Sequence, residues 1–279
     1  AISSLTKQAG TEKTANTVRR KSRGRVVGLV KNLYFLNRSK YSFRPYAYGG
    51  LSGEKQIAVP RYGRGSSYII KGNSRECACN EFIGLRLAKM LGAYVPDAYL
   101  VEPKENMYEV AIEYLEPMPK PDFDRVKAEK NLLHEYVYGF IAHCLLKDRD
   151  AIDFLFSNNM FYAFDFGDAF GIDDFSIGIM ENASELASIL PAHFLSKFTS
   201  HGIEYHPETL YAYESLVNDL QICDKAYFDA ALEDMCSRFL AIPEEEIKGM
   251  LNALGVQYPA ALVDYFERFV DEMRKFCQK

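Results

Sequence analysis

Apolar and polar positions along the chain follow two different rhythms. Residues 1–24 are rich in Lys, Arg, Ser and Thr, carry no apolar period, and read as a flexible basic arm. From Arg25 short β-type runs take over. "QIAVP" and "SSYIIKG" flank the glycine-containing turn "RYGRG" and predict a hairpin, with "YGGLSGEK" just ahead of its first strand. A helix is expected next, with Asn80 as N-cap, apolar residues at helical spacing through "EFIGLRLAKML", and Gly92 as the stop. "AYLVE" and "YEVAIEYLEP" predict two further strands, and the three prolines of "PMPKPDFD" mark a hinge. Beyond it the period becomes helical. "KNLLHEYVYGFIAHCLL" is apolar around most of its circumference, as a helix buried in a core must be. "AIDFLF" and "MFYAFDFG" predict two short strands joined by Ser157-Asn158-Asn159. Everything after about residue 184 reads as helices. "IPEEEIKGML" places Pro243 and acids in a first turn, and "AALVDYFERFVDEMRKF" is amphipathic. The expectation is an α+β chain of two lobes. A β-rich N-lobe with one helix spans residues 25–117, and a larger helical C-lobe spans 118–279, with a ligand cleft between them.

Composition narrows the picture little. The 279 residues are 48% apolar and 25% charged, and no run approaches the ~20 apolar residues of a membrane span. The first thirty residues lack an apolar signal-peptide core, so the expected compartment is the cytoplasm. Six scattered cysteines suit reduced thiols better than a disulfide framework, and Cys77-Ala-Cys79 lacks the second ligand pair of a zinc site. Charge is more telling than its total. Residues 1–64 hold 14 Lys/Arg against 2 Asp/Glu, whereas the remainder holds 19 against 36. The basic residues 19–31 are therefore a candidate surface for nucleic acid, for an anionic partner, or for the chain's own acidic half.

The acids carry the candidate chemistry. Asp148, Asp150, Asp153, Asp165 and Asp168 stand in and around "LLKDRDAIDFLFSNNMFYAFDFGDAFG", where a carboxylate is costly to bury unless paired or bound to a cation. A calcium loop does not fit, since Asp153 occupies the glycine position and Asn159 the glutamate position. Strand ends that bring Asp153 and Asp165 together suit a divalent cation between them, with Asp148 placed to orient an attacking hydroxyl. Phosphoryl transfer from ATP needs a glycine loop, a lysine, a carboxylate to fix it, metal ligands and such an orienting residue. Gly49, Gly50, Ser52 and Gly53 supply the loop, Lys71 the cation, and Glu81, ten residues on, the fixing carboxylate. Glu113, at the end of the last N-lobe strand, is a further candidate nucleotide contact.

On these residues the chain resembles HipA-like kinases and, more distantly, phosphatidylinositol kinases. Their catalytic run, approximately D-R-H-x-x-N followed by a strand, a turn and an aspartate motif, is similar to Asp148-Arg149-Asp150-Ala151-Ile152-Asp153 and then Asp165-Phe166-Gly167. "GGLSG", "YIIKG" and "NEFIGLRLAKMLGAYVP" resemble the upstream loop, lysine strand and glutamate helix. Asp150 stands where the family has histidine, and Asp153 where it has asparagine. The resemblance implies a two-lobed protein-kinase-like fold with ATP and Mg²⁺ in the cleft. Asp148 would be the catalytic aspartate, Asp153 and Asp165 metal ligands, and Lys71 the phosphate lysine with Glu81 as its partner. It also implies a Ser/Thr hydroxyl on a protein as acceptor and a DNA-binding or other protein partner; the serines and threonines of the N-terminal segment and around the glycine loop make the chain itself a candidate acceptor on composition. Two other functions stay open: a catalytically inactive nucleotide-binding regulator, and a purely structural interaction protein.

Overall fold

The computed structural model describes residues 33–46, 55–73, 75–104, 107–146, 148, 152–171, 198–200, 203–205, 207–255, 258 and 260–279. The basic arm, the segment 19–31, the glycine loop 49–53 and Asp150 lie outside the described residues.

Five antiparallel strands build the first lobe: β1 (Tyr41–Pro45), β2 (Lys55–Pro60), β3 (Tyr68–Asn73), β4 (Ala98–Lys104) and β5 (Met107–Glu113), in the order β1-β2-β3-β5-β4. Alternation along β3 sorts its residues between two faces. Tyr68 and Ile70 join Leu36, Ala58, Val101 and Ala111 in a small outer cluster. Lys71 turns the other way, toward helix α1 (Arg75–Leu91), which packs beneath the sheet. On the outer face Tyr41 and Tyr99 each meet Tyr68 edge-on at 5.6 Å between centroids, a geometry that favours aromatic pairs.

Helix α1 starts earlier than the sequence suggests. It begins at Arg75, so Asn80 is an interior residue and not the N-cap. The segment 75–79 contains no Gly or Pro to stop a helix, and the Asn80 side chain, fully buried, has tertiary work instead. The helix does end at Gly92, whose φ of 99° is the left-handed geometry that favours glycine. Strand β3 runs past Lys71 to Asn73.

The proline-rich segment leads through α2 (Phe123–Ala128) into α3 (Lys130–Leu145), the buried helix expected from its all-round apolar pattern. A hairpin of β6 (Asp153–Ser157) and β7 (Met160–Phe164) packs on α3. Gly139 is required there, because a Cβ would lie 2.4 Å from the Phe154 ring. Helices α4 (Pro207–Tyr213), α5 (Lys225–Leu240), α6 (Glu244–Gly255) and α7 (Ala260–Cys277) follow. One expectation fails in this region. Residues Phe198–Ser200 and Ile203–Tyr205 form a small hairpin, β8 and β9, where helix was expected. Each strand is only three residues long, too short to show a period in the sequence. No helix among the described residues is long and apolar enough to cross a membrane, and the six cysteines are free thiols.

The β6–β7 turn permits a direct test. Asn158 and Asn159 have φ of 51° and 60°, the left-handed pair of a type I′ turn, with Ser157 remaining in β6. Asparagine tolerates this region and alanine does not, so Asn159→Ala is expected to cost about 1 kcal/mol and lower the melting temperature by about 2–4 °C. An unchanged thermal melt would contradict the turn assignment.

Candidate functional site

Three elements converge on one ammonium group. Lys71 Nζ donates to Glu81 Oε2 at 3.1 Å and to Asp165 Oδ1 at 2.7 Å. Strand β3 positions the lysine, the second turn of α1 the glutamate, and the residue after β7 the aspartate. Asp165 has a φ of 66°, so the chain turns sharply as it leaves the strand. Helix α1 holds that turn in two more places. Glu81 Oε1 accepts from the Phe166 backbone N–H at 3.3 Å, and Asn80 Nδ2 donates to the Gly167 carbonyl at 3.0 Å.

Electrostatics match the geometry. Burial alone would depress the Lys71 ammonium, but the Glu81 and Asp165 carboxylates outweigh it and hold its pKa above the ordinary lysine value. Glu81, 1% exposed, is pushed up by burial; the Lys71 ammonium opposes that shift and the Asp165 charge adds to it. Burial also acts upward on Asp165, which is half-exposed at its side chain, yet Lys71 draws its pKa below the ordinary carboxylate range. Lys55 assists Asp165 from β2, where it sits directly opposite Lys71 in the register.

Asp153 and Asp165 reach the same end of the β6–β7 hairpin. Asp153 pairs with Phe164, the residue before Asp165. Both are half-exposed carboxylates, hard oxygen donors of the kind Mg²⁺ takes. Each also has its own lysine, since Lys120 Nζ donates to Asp153 Oδ1 at 2.9 Å. Among the described residues, no group of three or more His, Cys, Asp or Glu is arranged to hold a metal ion, so the two-carboxylate set would rely on phosphate oxygens or water for its remaining positions.

Asp148 is placed differently from a residue lining an open cleft. Its side chain is buried, and Oδ2 lies 2.7 Å from His143 Nδ1 near the end of α3. Glu113 stands at the exit of β5, where Oε1 accepts from Ser66 Oγ at 2.6 Å and Oε2 from the Asp97 N–H at 3.4 Å. Lys71, Glu81 and Asp165 are thus brought together, and Asp153 and Asp165 share a hairpin end. Asp148 joins the group through the ring of His143, which stacks on Phe166 with 4.1 Å between centroids and planes 6° apart. Sequence reasoning passed over His143, Asn80 as a tether, Lys55 and Lys120. Only Lys55 offered a signal, as the cation closing the glycine loop.

No protein-family model and no curated protein matches this sequence. Solved structures do match. The proinflammatory kinase CtkA of Helicobacter pylori superimposes with a TM-score of 0.54 at 15% identity, over 84% of this chain and 92% of that one. The fold is a kinase fold. It is the two-lobed arrangement that the resemblance to HipA-like kinases implied. A HipA chain in a Shewanella oneidensis MR-1 complex of HipA, HipB and operator DNA aligns over 76% of this chain and 57% of that one, at 13% identity. With a TM-score of 0.36, that second likeness adds nothing to the first.

Proposed function

We propose that this chain is an ATP- and Mg²⁺-dependent phosphotransferase of HipA-like type that phosphorylates a Ser/Thr hydroxyl on a protein. The observation that carries this reading is the Lys71 ammonium held between Glu81 at 3.1 Å and Asp165 at 2.7 Å within a kinase fold. A lysine so fixed presents a point charge to nucleotide phosphates with its rotamer entropy already spent. The glycine loop 49–53 would cover those phosphates, and Glu113, at the β5 exit opposite Tyr68, would be a further nucleotide contact. Asp153 and Asp165 would hold Mg²⁺, which supplies charge neutralisation on the phosphates when bound. In the transfer, the acceptor oxygen forms a bond to the γ-phosphorus while the bond to the β-phosphate bridging oxygen breaks and ADP leaves. Asp148 orients the acceptor hydroxyl and takes its proton.

One observation favours a second reading. The Asp148 carboxylate is buried and engaged by His143, which suits a nucleotide-binding regulator without turnover. A single experiment separates the two: incubation with labelled ATP and Mg²⁺, followed by mass spectrometry of whatever gains phosphate, with ATP thermal shifts alongside. The kinase reading expects label on the protein or on an extract component. Asp148→Ala should slow labelling about 10²–10⁴-fold while keeping the ATP shift, and Asp165→Ala should lose both. An ATP shift with no label in any form supports the regulator, and neither shift nor label removes both readings.

A further inference from the structure

We propose that His143, near the end of helix α3, is the positioning residue for Asp148. The inference rests on the phosphotransferase reading above. Two bonds tie Asp148 to this one residue: its backbone N–H donates to the His143 carbonyl at 3.1 Å, and its Oδ2 lies 2.7 Å from Nδ1. A carboxylate only accepts, so Nδ1 carries the proton and Nδ1–H donates to Asp148. The other ring nitrogen, Nε2, is buried and has no hydrogen-bond partner among the described residues. A histidine kept in a core solely for packing would be replaced by an apolar ring at no cost to Nε2. What distinguishes this one is that, among the described residues, the one hydrogen bond of its ring is directed at the aspartate.

The ring is also clamped. It stacks on Phe166, whose own backbone is held by Glu81, so the Asp148 carboxylate is referenced to the same helix that fixes Lys71. The backbone bond and the side-chain bond together leave Asp148 little freedom to rotate away from its bearing. Displacing an orienting group by about 1 Å is enough to cost a reaction roughly 10²-fold.

The test compares two amides of nearly equal polarity. In His143→Asn the amide N–H falls near the Nδ1 position, and in His143→Gln it falls near Nε2. With ATP and Mg²⁺ as the assay, phosphate transfer is followed together with the ATP KM and the thermal melt. The expected result is a kcat for His143→Gln about 10²-fold below wild type with an unchanged ATP KM, and recovery of at least tenfold in His143→Asn. In the Asp148→Asn background the two substitutions should no longer differ. The inference is overturned if Asn and Gln are equally impaired, whether both lose the fold or both lose turnover, or if both retain wild-type kcat. A wild type that binds ATP without transferring phosphate overturns the phosphotransferase reading itself, and is distinguished because it precedes any comparison of variants.

Discussion

Lys71→Met should abolish phosphoryl transfer and lower the melting temperature by on the order of 10 °C, with Glu81 setting the size of the second loss. Glu81 is 1% exposed and has the Lys71 ammonium as its cationic partner in the triad. Removing one member of a buried ion pair leaves an uncompensated charge, which costs about 3–5 kcal/mol, and a chain of this size loses about 2–4 °C per kcal/mol. The Asp165 half of the triad contributes little to that figure, since its carboxylate is half-exposed and solvent screens it. Two consequences follow. Lys71→Met/Glu81→Leu should recover part of the melting temperature and none of the transfer, because removing the charge relieves the buried carboxylate but leaves the Phe166 N–H without its acceptor. The stability of Lys71→Met should also rise on acidification. Burial already raises Glu81 above its unfolded value, and without the lysine only the Phe166 N–H opposes it, so proton uptake favours the folded state as pH falls through the folded pKa. The wild type behaves oppositely at Asp165. Its depressed pKa contributes stability above the unfolded value, and that contribution disappears as pH falls through the folded one. A Lys71→Met melt equal to wild type, or a double variant that regains transfer, would refute the triad's role.

What could be read in the sequence follows the range of the interactions involved. The β2–β3 hairpin, the strands around Lys71 and Glu113, the buried helix α3 and the β6–β7 hairpin are all encoded in local apolar period and turn residues, and all are present. That locality made Lys71, Asp153 and Asp165 visible, because a strand pattern fixes which face a residue such as Lys71 takes and which residues, Asp153 and Asp165, stand at a hairpin end. Glu81 was found by spacing, though on a wrong account. With Asn80 as the cap it would open the helix, whereas it is a second-turn acid on the buried face of a longer one. Asn80 misled for the same reason, since its preference for helix caps is a local tendency and its contact with Gly167, 87 residues away, is not. His143 was invisible for a different reason. Within an apolar helix it reads as one more buried ring, and the local turn by which the chain leaves α3, which no apolar period encodes, is what sets Asp148 against its Nδ1. Lys120 lies in a proline-rich segment whose direction no pattern specifies. β8 and β9 were lost because three-residue strands are too short to show a period against neighbouring helices.

Gly84→Ala should be the most damaging single methyl group in the site, and Gly167→Ala, in the motif that looks glycine-dependent, should be tolerated. A Cβ at Gly84 would stand 2.5 Å from Phe166 Cβ and 3.0 Å from its Cγ. Turning the Phe166 ring does not help, because the Cβ belongs to every rotamer. The backbone of one side must therefore move. Phe166 cannot retreat easily, with His143 stacked behind its ring and its own N–H held by Glu81. Whether α1 shifts or the segment after β7 does, Lys71 loses its distance to Glu81 or to Asp165, and the strain passes through His143 to Asp148. Overpacking of this kind costs about 1–3 kcal/mol, and misalignment of about 1 Å costs about 10²-fold in rate. At Gly167 an added Cβ meets only Glu81 Oε2, at 3.5 Å, an ordinary contact, and the backbone is outside the left-handed region. Gly167→Ala is therefore expected to melt within a few degrees of wild type. The comparison is read from thermal melts and ATP-dependent transfer of both variants side by side. Gly84→Ala transferring phosphate at the wild-type rate would mean that helix α1 and the Asp165–Gly167 turn are not the rigid unit from which this site is built.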